Sequence, residues 1–334
     1  MIALLLLSAC NPWPFEVAVP SGVPADVSTE RLCAESFESD PSEHQYIDCA
    51  VELAGFGQDD APDAGPLRVL SWNLERGHHL DGQIAWLQSG EAPLPDILMI
   101  SEADRGCERT DGRHVAREIA EDLGMHMAYA VEFVEQSGQG TDVTTACEHG
   151  NALLSRWPMG NVEAFRHEAQ MDIWFTPPDQ RGEDWSTRLG GRISVAADIR
   201  VHDELLHAIS VHWASGGSDQ IAAQQVRESH AAETVAHAQL RPHPAIVAGD
   251  TNAGFYMFDL SSGDTNDGVT QAFLTEGWTD AHHSLAPNDR VTSPPLILDL
   301  LFGKADQWSE AAICAAETCD GLSDHRAVWA TWTP

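Results

Sequence analysis

The chain has 334 residues, of which 43% are hydrophobic and 21% charged, a composition typical of a globular protein with one large core or two modest ones. The 18 Lys and Arg residues against 52 Asp and Glu residues give a formal net charge of −34. Such a surface repels polyanions, which argues against tight, non-specific binding of nucleic acid through a basic face.

The first ten residues have the sequence MIALLLLSAC. The apolar run from Ile2 to Leu7 is much shorter than the roughly 20 residues of a membrane-spanning helix. The four residues ending at Cys10 resemble the lipobox of bacterial lipoproteins, in which the cysteine is acylated. The resemblance implies a signal peptide over residues 1–10, acylation at Cys10, and an exported protein anchored at the outer membrane or cell surface. The alternatives are a buried N-terminal helix and a wrongly assigned start codon.

Residues 11–65 are rich in Pro, Ser, Asp and Glu, with one weak helical stretch near Pro41–Leu53, and predict a tether and a small cap. Of the seven cysteines, six remain when Cys10 is set aside, and an even number in an exported chain indicates disulfides. Proximity in the sequence favours the pairs Cys33–Cys49, Cys107–Cys147 and Cys314–Cys319. Free or metal-binding thiols are the alternative, although no CxxC pair supports a zinc site.

From residue 66 onward, short apolar runs bounded by Gly, Pro, Asp or Asn predict strands. They are Leu67–Trp72, Ile97–Ile100, Ala152–Leu154, Ile193–Ile199, Leu205–Val211, Ala245–Ala248, Leu296–Phe302 and Ala327–Trp332. Apolar residues at three- and four-residue spacing predict helices over Gly82–Gln88, His114–Leu123 and Ser218–Gln239. This order predicts a four-layer α/β sandwich, with two packed mixed β-sheets flanked by helices, as one domain over residues 66–334 that acts as a monomer.

Polar side chains stand at the ends of seven of these runs. The segments that contain them are VLSWNLERG, DILMISEAD, GNALLSRWP, ISVHWASG, IVAGDTNA, LILDLLF and GLSDHRAV. One such residue is usually a turn residue, but seven in succession with oxygen or imidazole ligands are hard to explain as turns. The series resembles, in order and spacing, the motifs of the endonuclease/exonuclease/phosphatase superfamily over roughly residues 67–333.

The resemblance implies a role for each motif residue. Glu102 is expected to bind Mg²⁺ or Mn²⁺ with Asn73, and Asp324 to add a further metal contact, since hard cations favour oxygen ligands. Asp250 is expected to orient or deprotonate the attacking water, and Asn252 to donate to a phosphate oxygen. The remaining expected groups are a His325–Asp299 pair, His212 as proton donor to the leaving group, Glu132 as the carboxylate that orients His212, and Asn151 as support for the phosphate site.

The segment between Arg166 and Ile193 departs from the family pattern. Arg188 and Arg192 stand there beside glycines, and arginines bind phosphate bidentately, so we expect them on the substrate side. Salt bridges to the acidic surface are the alternative. A second group of arginines follows Glu102, and within it Arg113 and Arg117 are placed to pair with Glu121 on one helix face.

The fold alone does not decide the substrate. The second imidazole and its carboxylate favour a phosphodiesterase acting on nucleic acid or nucleotides. A lipid anchor and an aromatic insert would instead suit a phospholipid phosphodiesterase of the sphingomyelinase kind, and an inositol-phosphate phosphatase is a further enzymatic alternative. A surface-binding module without catalysis is the non-enzymatic alternative, which the complete set of metal and acid–base residues disfavours.

Overall fold

A computed structural model describes residues 15–18, 32–33, 49–57, 65–135, 144–171, 188–201, 204–215, 220–256 and 268–333. The expected acylation site Cys10 and the aromatic residues of the insert lie outside these residues, and their roles stay predictions. No helix in the described ranges has the length and apolar character needed to cross a membrane.

The described strands form two sheets, and the first contains eight strands. They are β1 (Glu52–Gly55), β2 (Leu67–Arg76), β3 (Ile97–Arg105), β4 (His126–Glu135), β5 (Cys147–Ser155), β7 (Arg188–Gly190), β13 (Trp308–Ile313) and β14 (Val328–Trp332). Their order is β1-β4-β5-β3-β2-β14-β13, and the short β7 pairs with the end of β4. This sheet therefore combines strands from both ends of the chain.

The second sheet contains six strands. They are β6 (Met159–Arg166), β8 (Ile193–Val201), β9 (Glu204–His212), β10 (Ala245–Tyr256), β11 (Trp278–Asp280) and β12 (Leu296–Lys304). Their order is β11-β12-β10-β9-β8-β6. Both sheets are mixed, because β2 and β3 run parallel in the first and β9 and β10 run parallel in the second.

Helices cover the outer face of each sheet. They are α1 (Leu80–Ser89), α2 (Val115–Leu123), α3 (Gln220–Gln239), α4 (Gly268–Thr275) and the short α5 (Ala316–Cys319). Helices α1 and α2 pack on the first sheet, and α3 and α4 pack on the second. A third apolar cluster lies between the sheets, so the layers run helix, sheet, sheet, helix, and the predicted fold class is confirmed.

Local sequence explains where α2 begins and ends. Its apolar residues recur at helical spacing and bury one face, with Val115, Ala116, Ile119 and Ala120 all inaccessible to solvent. The side chain of His114 accepts a hydrogen bond from the Arg117 backbone N–H at the first turn. Gly124 ends the helix at φ 61°, a left-handed conformation that glycine adopts without strain.

The predicted strands and helices after residue 66 all coincide with elements of the structure. The prediction of a weak helical stretch near Pro41–Leu53 is wrong for the described residues at its end. There β1 begins at Glu52 and pairs antiparallel with β4. Alternate side chains of this strand face opposite sides of the sheet, with Leu53 against the inter-sheet core and Ala54 against the helical side. Pairing with β4 therefore outweighs the local helical pattern.

Buried ion pairs attach the segment before residue 66 to the first sheet. Glu52 accepts from Arg105 Nε at 2.9 Å and also binds Arg117, while Arg105 Nη1 donates to Glu148 at 2.6 Å. The Cys33 backbone N–H donates to Glu148 as well, at 3.1 Å. The three disulfides join the pairs that sequence proximity favours. The described part of the segment predicted as a tether and small cap thus supplies a strand and ion pairs to the main sheet.

The expected pairing of two arginines with Glu121 is wrong. Arg113 Nη2 lies 2.6 Å from Glu118, and Arg113 Nη1 lies 2.8 Å from Asp81 on α1. Arg117 instead binds Glu52 on the neighbouring β1. Helical spacing alone suggested Glu121, but Glu118 on the same helix, Asp81 on α1 and Glu52 on β1 bind these arginines instead.

Buried histidines lie between α3 and the second sheet. The rings of His167 and His230 stack with centroids 4.2 Å apart, and His207 Nδ1 lies 2.8 Å from Asp198. Burial lowers the pKa of all three histidines, and His167 lowers that of His230 further. Their carboxylate partners Asp198 and Glu233 oppose the shift without reversing it. The folded state therefore holds these rings neutral.

Acidification is expected to destabilise the protein through these rings. A histidine whose pKa is lowered on folding stabilises the fold fully above the ordinary value of 6.5. That contribution is lost as the pH falls from 6.5 toward the folded-state pKa. His230→Gln should therefore reduce the fall in melting temperature between pH 7 and pH 5, whereas the control His78→Gln, on an exposed loop, should leave it unchanged. Identical pH profiles for wild type and His230→Gln would contradict this explanation.

Candidate active site

Polar residues from both sheets converge at one end of the sandwich. Asn73 and Glu102 lie on the parallel strands β2 and β3 where their regular pairing breaks, and His212 and Asp250 lie where the parallel pairing of β9 and β10 ends. The carboxyl ends of parallel strands are the usual position of ligand sites in α/β proteins. Ser101 Oγ donates across the sheets to the Val211 carbonyl at 3.2 Å, which joins the two halves of the site.

Breaks in strand register accompany the polar residues. The pairing shifts between Ile100 and Ala103 around Glu102, and between Val131 and Phe133 around Glu132. Similar shifts follow Asn73 on β2 and Asp250 on β10. A bulge turns a side chain out of the regular alternation of a strand, so these irregularities aim the carboxylates at the shared end of the sheets.

Two of these residues have a left-handed backbone conformation. Glu102 has φ 56° and Asn252 has φ 47°. For residues other than glycine this conformation costs on the order of 1–3 kcal/mol and is concentrated at functional sites. The surrounding hydrogen bonds maintain it, since the Asn252 backbone N–H donates to Asp250 Oδ1 at 2.9 Å and the Asn252 amide to the Trp213 carbonyl at 3.1 Å.

Asp250 lies at the centre of the cluster. Its Oδ2 accepts from Asn73 Nδ2 at 3.0 Å. The same oxygen lies 3.6 Å from His212 Nε2 and 3.8 Å from His325 Nε2. One buried carboxylate is thus held by an amide on the first sheet and faces two imidazoles, an arrangement suited to bind or deprotonate a water molecule next to a bound anion.

The first imidazole, His325, forms a buried pair with Asp299. His325 Nδ1 donates to Asp299 Oδ2 at 2.8 Å, which leaves Nε2 directed toward Asp250. Burial by itself lowers the pKa of His325, but Asp299 and Asp250 outweigh burial and raise it well above its ordinary value. The ring is therefore a cation at neutral pH and can donate from Nε2. Ser323 Oγ fixes the preceding loop by donating to the Asn73 carbonyl at 2.7 Å.

The second imidazole, His212, forms a pair with Glu132. His212 Nδ1 lies 2.9 Å from Glu132 Oε2, and His212 Nε2 faces Glu102 Oε1 at 3.7 Å. Glu132 is completely buried, yet Arg192 and His212 outweigh the burial and lower its pKa to about 2. The family resemblance implied Glu132 as the carboxylate that orients His212, and in the structure Glu132 lies beside that ring.

The residues expected to hold a divalent cation lie where negative charge accumulates. Partial burial and the carboxylates of Glu102, Glu75 and Asp250 raise the pKa of Asp324, although His325 opposes them. Burial of Glu102 raises its pKa too, but His212 and other basic neighbours outweigh burial and lower the pKa. An ionised Glu102 beside further carboxylates supplies an all-oxygen set of the kind that Mg²⁺ or Mn²⁺ binds. The donor chemistry thus fits the expected metal.

A second group also has the composition of a metal site. Ligand atoms of Asp250, Asp299 and His325 lie within 4.8 Å of one another. The ring nitrogen Nδ1 of His325 is already bonded to Asp299, and the raised pKa keeps its other nitrogen protonated. A protonated imidazole has no lone pair for a metal, so we expect this group to hold a proton when no cation is bound.

Asn151 lies beside the expected metal carboxylate. Its Oδ1 accepts from the Glu102 backbone N–H at 3.4 Å. Its buried Nδ2 has no hydrogen-bond partner among the described residues, and a buried donor without a partner is costly. A substrate oxygen at this position would satisfy the Asn151 amide, as the sequence led us to expect.

The two arginines expected on the substrate side bind carboxylates of the protein. Arg188 Nη2 lies 2.9 Å from Glu135, and Arg192 Nη1 lies 2.8 Å from Glu132. Arg192 is 3% exposed. Their carboxylate partners lie on β4, which the sequence did not predict as a strand, and this is why the sequence could not reveal the pairing.

Sequence reasoning also missed a third imidazole–carboxylate pair next to the site. His149 Nδ1 lies 2.9 Å from Asp104 Oδ1, and Arg109 binds the same carboxylate through Nε at 2.6 Å. His149 is among the basic neighbours that lower the pKa of Glu102. The sequence places Asp104 two residues after Glu102, which could have drawn attention to this carboxylate. Nothing in the sequence indicated that Asp104 would pair with His149.

A polar cavity of about 340 Å³ opens beside the site. It lies between the loop that precedes α1 and the loop that follows β3, and Leu322 of the Ser323–His325 loop closes one side. The remaining lining residues include His78, His79, Arg109 and Arg113.

Comparisons with known proteins agree with this geometry. The sequence model of the Endonuclease/Exonuclease/phosphatase family matches residues 70–325. No curated protein matches the sequence.

Solved structures share the fold at low identity. An endonuclease/exonuclease/phosphatase from Beutenbergia cavernae is 14% identical with a TM-score of 0.57, over 81% of this chain and 72% of that chain. The 3' phosphatase NExo from Neisseria, bound to product DNA hairpin, is 16% identical with a TM-score of 0.54, over 80% and 100%. An AP endonuclease from Archaeoglobus fulgidus is 16% identical with a TM-score of 0.52, over 80% and 99%.

Proposed function

Because the chain belongs to the endonuclease/exonuclease/phosphatase family, whose members hydrolyse phosphate esters, we propose that it is a metal-dependent phosphodiesterase acting on nucleic acid or nucleotides. The observation that carries the proposal is the convergence of two imidazole–carboxylate pairs on Asp250. A phosphodiester needs its negative oxygens neutralised, its water activated and its leaving alkoxide protonated. The site offers a separate group for each task.

Asp250 is assigned to the attacking water. Its Oδ2 is oriented by Asn73 Nδ2 and its Oδ1 by the Asn252 backbone N–H, so the carboxylate has a fixed direction. Water bound to such a carboxylate is oriented for attack and can pass a proton to it. The left-handed conformation of Asn252 positions that N–H.

Phosphate oxygens are assigned to donors on both sides of Asp250. Protonated His325 donates from Nε2, and Asp299 stabilises its positive charge. The Asn151 amide donates from the buried Nδ2 that lacks a described protein partner. A divalent cation bound by Glu102, with Asn73 and Asp324 beside it, would neutralise further negative charge on the phosphate.

His212 is assigned to the leaving group. Glu132 accepts from its Nδ1, so the ring is oriented with Nε2 toward the reaction space. A proton delivered from this nitrogen to the departing alkoxide typically accelerates such a step by about 10²–10⁴-fold. Two of the solved structures that share this fold are named as a 3' phosphatase and an AP endonuclease. These similarities support a nucleic-acid substrate.

The proposal requires a divalent cation and a phosphodiester substrate. EDTA should abolish hydrolysis of DNA, RNA and bis-(p-nitrophenyl) phosphate, and Mg²⁺ or Mn²⁺ should restore it. Sphingomyelin and inositol phosphates belong in the same assay as the competing substrates. Full activity in chelated buffer would contradict the metal requirement. Cleavage of sphingomyelin or inositol phosphates, with none of the nucleic acids, would contradict the substrate class.

The separate roles of His212 and Asp250 predict different dependence on the leaving group. Asp250→Ala should lower kcat by at least about 10³-fold for every substrate, because each needs an activated water. His212→Ala should lower kcat strongly for a dinucleotide but little for a p-nitrophenyl ester, whose leaving group departs without a proton. Steady-state kinetics with the two substrates measures the difference. Equal losses on both would remove His212 from the role of proton donor.

A further inference from the structure

Gly191 and Arg192 connect β7 to β8, and together with Gly190 at the end of β7 they lie against the bulge that contains Glu132. The Gly191 backbone N–H donates to the Glu132 carbonyl at 3.0 Å. A side chain at Gly191 would meet Gln170, whose Oε1 accepts from the Arg192 backbone N–H at 2.7 Å. The backbone of Arg192 is therefore fixed relative to the carboxylate that orients His212.

The guanidinium of Arg192 bridges the same residues from inside the protein. Nη1 lies 2.8 Å from Glu132 Oε1 and within 2.8 Å of both ring nitrogens of His212. Nη2 donates to Ser215 Oγ at 3.2 Å, and the guanidinium carbon lies 5.5 Å from the centre of the Phe133 ring. One cation thus contacts β4, the end of β9 and the segment that follows it.

The two oxygens of Glu132 have different partners. Oε1 accepts from Arg192, and Oε2 accepts from His212 Nδ1. A planar guanidinium binds a carboxylate in a defined orientation, so Arg192 fixes the rotation of the Glu132 side chain. That rotation in turn fixes the direction in which His212 Nε2 points.

We propose that Arg192 is a positioning residue that orients the Glu132–His212 pair, and that it does not bind substrate. This inference rests on the proposed role of His212 as proton donor. Burial supports it, because a guanidinium that is 3% exposed and bonded to Glu132 would have to break a buried ion pair to reach a phosphate. The segment around Arg192 therefore acts on the reaction through the imidazole.

Kinetics of Arg192→Gln tests the inference against the alternative of a substrate ligand. Loss of positioning should lower kcat for a dinucleotide by about tenfold or more, with KM nearly unchanged, and should affect a p-nitrophenyl ester much less. The double variant with His212→Ala should be no slower than His212→Ala alone, because Arg192 acts only through that ring. The matched control is Arg156→Gln, which removes an arginine from Asp96 at the opposite end of β3 and should leave kcat unchanged.

Two results would overturn the inference while leaving the proposed function intact. One is a rise in KM with unchanged kcat on both substrates, which is the behaviour of a substrate ligand. The other is full additivity of Arg192→Gln and His212→Ala. If His212→Ala itself shows no dependence on the leaving group, the proposed role of His212 fails and the inference fails with it.

Arg192→Lys keeps the test valid if Arg192→Gln does not fold. A lysine keeps the charge beside Glu132 but cannot bridge Glu132 and Ser215 in one plane. The same selective loss of kcat on the dinucleotide is expected, and melting temperatures establish that each variant is folded. Wild-type kcat on both substrates for a folded Arg192→Lys would contradict a positioning role for the guanidinium.

Discussion

A buried carboxylate is stable only when a cation or a proton accompanies it, and this constraint organises the catalytic end of the sandwich. Glu132 is completely buried and is balanced by Arg192 and His212. Asp299 is balanced by His325. The pKa of Asp324 is raised by partial burial and by the nearby carboxylates of Glu102, Glu75 and Asp250, although His325 opposes the rise. We expect a divalent cation to bind among the oxygen ligands of Glu102, Asn73 and Asp324, and the imidazole–carboxylate pairs to supply the protons.

The site also requires an irregular backbone, because a regular strand directs alternate side chains to opposite faces of its sheet. Bulges on β2, β3, β4 and β10 interrupt that alternation where the site residues lie. The left-handed conformations of Glu102 and Asn252 belong to the same irregular stretches. These conformations are stable because two sheets, crosslinked by Ser101 and Val211, surround them. Rigid strands thus hold the site, and local strain aims its side chains.

Much of this arrangement could be predicted from the sequence, because the motif residues stand at the ends of apolar runs in a fixed order. The order of strands and helices predicted the sandwich, proximity in the sequence predicted the three disulfides, and the family resemblance implied a role for Asp250 at the site. The role of Arg192 did not follow, because its partner Glu132 lies on a strand that alternation did not reveal. The same holds for β1, whose pairing with β4 depends on residues far away in the sequence. An ion pair between residues far apart in the sequence leaves no pattern in the local sequence. The end of a strand does, because a polar residue there follows an apolar run.

The central claim is that the cation binds at Glu102 and that the nearby Asp250–Asp299–His325 group holds a proton instead. Diffraction from crystals soaked in Mn²⁺ tests this claim most directly, since the anomalous signal locates the ion without any assumption about activity. Our account predicts a peak against the Glu102 carboxylate, close to Asn73 and Asp324. A peak between Asp250, Asp299 and His325, with none at Glu102, would contradict the assignment of both the metal and the proton.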